Sequence, residues 1–308
     1  MRLNKFSHFY FILLFSLIPL TIVLGSSAIL VNIILLDLSF LIMIIVRKDF
    51  FFLKSKPIKY LIILYLYLIF NSFISIDPTF NYSRNFGFIR LIILFAAFNY
   101  FFLDEKFYKT VISFWVIIIL IVSIDIYIEQ FTGTNILNYS MGKERINVEG
   151  KVIFGRIVSF FKDEPIVGGY LLGFFFILAG FLFNDLKYKK KIFGFAFLIF
   201  IFVTILLTGE RSNSIKALIG TIIFIIFLSK FDLKIKIFSL LTILILTLVI
   251  IMSNSYLKIR FISNIKSMSS THKVYFKIYN SALQVFENHK IFGVGNKNYR
   301  VETCVKSN

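Results

Sequence analysis

The chain has 308 residues, of which 58% are hydrophobic, with a mean hydropathy of +0.85 and a formal charge of +18. That apolar share is well above that of an ordinary water-soluble domain, so lipid is the solvent for most of the chain. Cys304 is the only cysteine, and His8, His272 and His289 are the only histidines, which excludes an internal disulfide and a histidine or cysteine metal cluster.

Taken in chain order, apolar runs fall at 9–24, 29–46, 60–76, 86–103, 110–131, 166–183, 192–208, 217–229 and 237–252. Each is near the roughly 17–25 residues that a spanning helix needs. None shows the sustained alternation of a membrane barrel, so the expectation is an all-α integral membrane protein with about nine transmembrane helices. The charge is placed accordingly. With the N-terminus inside, the inner segments are 1–8, 47–59, 104–109, 184–191 and 229–236, holding two, five, two, four and three Lys/Arg. The short outer turn 25–28 holds no charge, and 209–216 holds Glu210, Arg211 and Lys216. This asymmetry predicts the N-terminus inside and the C-terminus outside. Basic clusters such as Lys187 with Lys189, Lys190 and Lys191 then read as topology and anionic-lipid signals, not as a nucleic-acid surface. A cleaved signal peptide at 1–28 would invert every basic loop, so this segment reads as an uncleaved first helix.

Two outer segments, 132–165 and 254–308, have room for a polar site, and Pro78 and Pro165 also fall in outer loops. The chain therefore divides into a polytopic bundle over 1–253, with the loop 132–165, and the start of a large outer loop over 254–308. Its last residue lies in the middle of that polar segment. The expectation is either a loose outer appendage or a piece of a longer protein.

Four constellations carry possible chemistry. Arg156 is followed by SFFKDEPIVGGYL at 159–171, where Asp163, Glu164 and a pair of glycines precede the sixth span. Arginine presents a planar fork that matches phosphate oxygens, and a helix N-terminus adds oriented N–H groups. The plainer reading is an interfacial loop whose acids complement the helix dipole. LTGERSNSIK at 207–216 is a short turn with Gly209, Glu210 and Arg211 amid Ser212, Asn213 and Ser214. Arg211 there is either a site residue or a side chain snorkelling to the headgroups. Arg90 on span four, with Asp125 and Glu129 one turn apart on span five, reads as an intramembrane ion pair or an interior site. Asn32 and Asp37 on span two read as interhelical glue or cavity lining. Finally, SALQVFENHKIFGVGNKNYR at 281–300 reads as a short amphipathic helix stopping at Gly293 and Gly295, with His289 at its exposed end and Glu302 uncommitted.

Together these strings resemble the O-antigen ligase and polymerase superfamily, over roughly residues 80–300 and in order. SFFKDEPIVGGYL behind Arg156 looks like that family's arginine with an aromatic, acidic and glycine-rich loop. LTGERSN looks like its short arginine turn, and FENHKIFGVGNKNYR like the Gly-x-Gly stretch that opens its large periplasmic loop. The resemblance implies a C-type glycosyltransferase-like helical bundle in a bacterial inner membrane, transferring a glycan from a polyprenyl-diphosphate carrier to a lipid or glycan acceptor. It implies no metal and no cofactor. Arg156 and Arg211 match the donor-binding arginines, with Arg90, Asp163, Glu164 and Glu210 as secondary candidates. The family's catalytic histidine lies further along the outer loop than either His272 or His289, so the resemblance assigns no base within these residues and leaves turnover by this chain uncertain. The rival classes are a lipid-linked sugar transporter or flippase, which should show internal repeats or interrupted midplane helices, and a non-catalytic membrane protein. Neither transporter feature is evident in the sequence.

Overall fold

A computed structural model describes residues 5–140, 146–148, 151–153, 156–162, 164–185, 188–227, 232–263 and 268–305. Almost all of the secondary structure is helical. The helices are α1 (Lys5–Ser16), α2 (Ile18–Leu24), α3 (Ser26–Arg47), α4 (Lys56–Ile74), α5 (Tyr82–Gly87), α6 (Ile89–Phe101) and α7 (Glu105–Thr132), then α8 (Val167–Asp185), α9 (Tyr188–Leu207), α10 (Arg211–Phe227), α11 (Leu233–Ser253), α12 (Ser255–Lys258), α13 (Met268–Asn288) and α14 (Tyr299–Val305). Among the described residues the one departure from an all-α fold is a short antiparallel hairpin, β1 (Ile146–Val148) and β2 (Lys151–Ile153), in the register Ile146 opposite Ile153.

Every apolar run became a helix or a helix pair, because a segment without water around it must satisfy its backbone polar groups internally. Among the described residues four single helices are long and apolar enough to cross a membrane: α3, α4, α7 and the 236–253 part of α11. The α1–α2 pair makes a fifth if it is one span. The chain is a multi-pass membrane protein. The expectation of continuous helices is corrected at two places. The first run bends by 44° between α1 and α2, where Pro19 has no N–H to give to the preceding turn. Asn32 on α3 answers the break, its Nδ2 donating to the Leu14 carbonyl at 3.2 Å and to Thr21 Oγ1 at 3.4 Å. Asn32 is therefore interhelical glue. The fourth run is split at Phe88 into α5 and α6, and α6, at 13 residues, is only about 20 Å long.

The chain forms two compact units, residues 1–111 with 268–308, and residues 112–267. In the first, α1, α3, α6 and the start of α7 meet on an aromatic core in which Phe101 stacks on Phe107 at 5.0 Å and lies 5.7 Å from Phe15 and 6.1 Å from Phe40. In the second, α9 and α10 each approach α8 at a glycine. Gly194 lets α9 approach Leu182, and a Cβ on Gly220 would stand 2.3 Å from the Phe176 ring, the close backbone approach typical of helix pairs in lipid.

Candidate functional site

The second unit gathers the C-terminal end of α7, the loop before α8, the α9–α10 turn and the start of α12 at one end. The loop is organised first. Asp125 and Glu129, buried one turn apart on α7, point their carboxylates at it. Glu129 accepts the N–H of Val158 at 3.1 Å and of Ser159 at 2.6 Å. Asp125 accepts the Ser159 hydroxyl at 2.6 Å and the Ile136 N–H at 3.0 Å. Asn135 adds a bond from its Nδ2 to the Ser159 carbonyl at 2.8 Å. Ser159 is fully buried at φ 49°, a left-handed backbone that serine rarely adopts. The ion pair or interior site considered for these acids did not include this use. Their oxygens hold loop backbone instead, because unpaired N–H groups buried at a helix end need acceptors. Arg90, expected within the fourth span, is exposed in the first turn of α6, and in its own unit its charge acts on the buried Asp37.

The loop and the α9–α10 turn then lock together. Glu210 Oε1 accepts the Gly168 N–H at 2.6 Å, and Oε2 accepts from Asn213. Gly168 permits this approach, since a Cβ there would stand 2.7 Å from Thr208 Oγ1 and 2.9 Å from Glu210 Oε1, and the fit at Gly169 is close, with Asn213 Nδ2 3.2 Å from where a Cβ would lie. The N–H of Gly168, at the helix start considered for a phosphate, is occupied by Glu210. Burial pushes the Glu210 carboxyl above its ordinary value, against the opposing pull of the Gly168 N–H, Asn213 and the Arg156 charge. Arg156 therefore lies within electrostatic reach of Glu210. Arg211 is exposed in the first turn of α10, where a cation opposes the helix dipole and contributes nothing to helix stability. Glu164 is exposed, its carbonyl accepting from Ile166. Asp163 lies outside the described residues.

A third arginine, one that the sequence reading missed, braces the α9–α10 turn. Arg260 donates from Nε to the Gly209 carbonyl at 2.6 Å and lies over the Tyr256 ring at 5.9 Å. Tyr256 is buried against Gly209, whose φ of 72° and lack of a Cβ leave space for the ring. The signal was present: Asn254 caps α12 through Leu257 N at 3.2 Å, and Tyr256 and Arg260 follow four residues apart on one face.

In the first unit, the segment after α13 docks on the end of α4. Asn71 Nδ2 donates to the Phe292 carbonyl at 2.9 Å, Ile76 N to the Val294 carbonyl at 3.3 Å, and Asp77 N to Asn298 Oδ1 at 2.8 Å. Gly293 and Gly295 take φ of 67° and 95°. His289, expected at an exposed end, is half-buried with Nε2 3.3 Å from the buried Glu302 carboxylate. The side chain of His272 lies outside the described residues.

Residues 195–303 match the family model for O-antigen ligase. The match supports kinship with the O-antigen ligase and polymerase superfamily. It takes in Glu210, Arg211, Tyr256, Arg260 and the Gly293–Gly295 turn, while Arg156, Gly168 and Gly169 precede it. No curated protein and no solved structure matches the chain.

Proposed function

We propose that this chain is an O-antigen ligase- or polymerase-like glycosyltransferase that takes a glycan from a polyprenyl-diphosphate carrier and passes it to a lipid or glycan hydroxyl at the periplasmic face of a bacterial inner membrane. The observation that carries the reading is the junction of the arginine turn, inside the O-antigen ligase match, with the Arg156 loop outside it, through Glu210 and Gly168. In the transfer the bond between the sugar C1 and the diphosphate oxygen breaks, a bond from C1 to the acceptor oxygen forms, the electron pair leaves with the diphosphate, and the hydroxyl proton passes to a base. The leaving group is multiply charged, so fixed cations at the membrane surface lower the barrier. Arg156 and Arg211 supply them as charge-assisted forks. Arg260 holds the turn that carries Arg211. Glu210 orients the loop and keeps the local charge from becoming purely cationic.

The test is glycan transfer by the full chain. Arg156→Lys and Arg211→Lys each replace a fork by a point charge, and each should lower transfer by about 10²–10³-fold, as loss of an oriented charge-stabilising donor does. Transfer by both variants at the parental rate would overturn the donor-site assignment.

A further inference from the structure

We propose that α13 is an in-plane membrane helix, its apolar face seated in the lipid surface at the level where the span α4 ends. This does not rest on the proposed activity. The 21-residue helix places Ile278, Tyr279, Ala282, Leu283 and Phe286 on one face, and Lys277, Asn280, Ser281, Gln284 and Asn288 on the other. Its polar face is too wide for a spanning helix, and its apolar face too continuous for a solvated one, which is the composition of a helix lying at the bilayer boundary. About half or more of that face stands clear of protein: Ile278, Tyr279, Leu283 and Phe286 are 49%, 65%, 59% and 59% exposed, with the Tyr299 hydroxyl reaching the Ile278 backbone carbonyl at 3.4 Å.

What covers the face follows from where the helix is tied. Its C-terminal end runs into the turn that Asn71, Ile76 and Asp77 hold at the end of α4, and Gly295 packs so closely on Ser75 that a Cβ would stand 2.3 Å from its Cβ. Helix α4 is one of the helices long and apolar enough to cross the membrane, so its end lies at the headgroup level and fixes the end of α13 there. A groove of about 530 Å³ between the two is apolar on the α4 side, at Phe70 and Ile74, and polar along Glu287, Asn288, His289 and Lys290, the gradient that a zwitterionic headgroup and the first acyl carbons present. Tyr279 and Phe286 add the aromatic rings favoured at that depth.

The test uses the full chain with the exposed Cys304 replaced, Cys304→Ser, in vesicles of phosphatidylethanolamine and phosphatidylglycerol. Single cysteines from Tyr279→Cys, Leu283→Cys and Phe286→Cys, and from Lys277→Cys, Ser281→Cys and Gln284→Cys, carry a small environment-sensitive fluorophore. The first three should be blue-shifted, quenched by lipid spin-labelled near the headgroup, and several-fold less accessible to aqueous iodide than the second three. Equal iodide quenching at all six would place the face in water and overturn the proposal. Protection of the first three without lipid quenching would show a protein partner or a second copy on the face, and would overturn it equally. A second variant, Leu283→Asp, should raise iodide access at a label on position 286 several-fold; unchanged access would count against lipid as the cover.

Discussion

Ser159 shows how the candidate site is held. A left-handed non-glycine residue costs on the order of 1–3 kcal/mol and persists only where its surroundings over-determine it; here Asp125, Glu129 and Asn135 do so with the bonds that fix the loop after Arg156. Ser159→Ala keeps the strain and leaves Asp125 short of a donor, so thermal unfolding in detergent should show a loss of about 1–3 kcal/mol. An unchanged midpoint would contradict that role. Glu210 gives a pH prediction. Because its folded carboxyl titrates above its ordinary value of 4.5, the fold keeps a proton that the unfolded chain has released, and stability falls as pH rises between those two values. Glu210→Gln has no such fall, so the parent's midpoint should drop relative to the variant as pH rises above the ordinary carboxylate range. A gap between the two that does not change with pH would refute the burial argument. At this scale the sequence made Glu210 and Arg211 conspicuous by adjacency. Gly168, the partner of Glu210, was not legible as such, since it lies 42 residues away, and neither was the use of Asp125 and Glu129 as acceptors for the loop, which depends on where a loop returns.

Among the elements, hydrophobic runs reported helices well and their interruptions poorly. A hydropathy window averages over Pro19 and over Gly87–Phe88, so the α1–α2 bend and the α5–α6 break are invisible to it, although Pro19 is itself the cause of the first. The last amphipathic segment was legible as a helix but placed too late: helix α13 covers 268–288, and the residues read as its end form the turn docked on α4. The Gly-x-Gly string required glycine for a reason that only contact reveals. Gly295→Ala would combine a positive φ with a Cβ inside Ser75, and should destabilise the docked turn by about 1–3 kcal/mol from overpacking alone. Limited proteolysis should then cut within 289–298 faster than in the parent; an unaltered rate would argue that the turn is not fastened as described.

For the molecule as a whole, the interrupted helices bear on the transporter alternative. Among the described residues both lie in the first unit, whereas a repeat-built transporter places interruptions at corresponding positions of two halves. The O-antigen ligase match spans residues of both units, and the orientation we propose from the charge asymmetry has 47–59 and 184–191 inside and 132–165 and 254–308 outside. Cysteine labelling of intact cells should therefore reach positions 147 and 304 and leave 54 and 189 unlabelled; labelling of 189 from outside would reverse the topology. The central claim is that Arg156 and Arg211 hold a diphosphate at the membrane surface. It is tested most directly by equilibrium binding of a polyprenyl diphosphate to the full chain in detergent, beside the Arg156→Lys, Arg211→Lys double variant, with thermal midpoints measured on both. The account predicts an affinity lower by about tenfold or more, the loss of at least 1.4 kcal/mol of charge-assisted contact, at an unchanged midpoint; equal affinity for the parent and the double variant would contradict it.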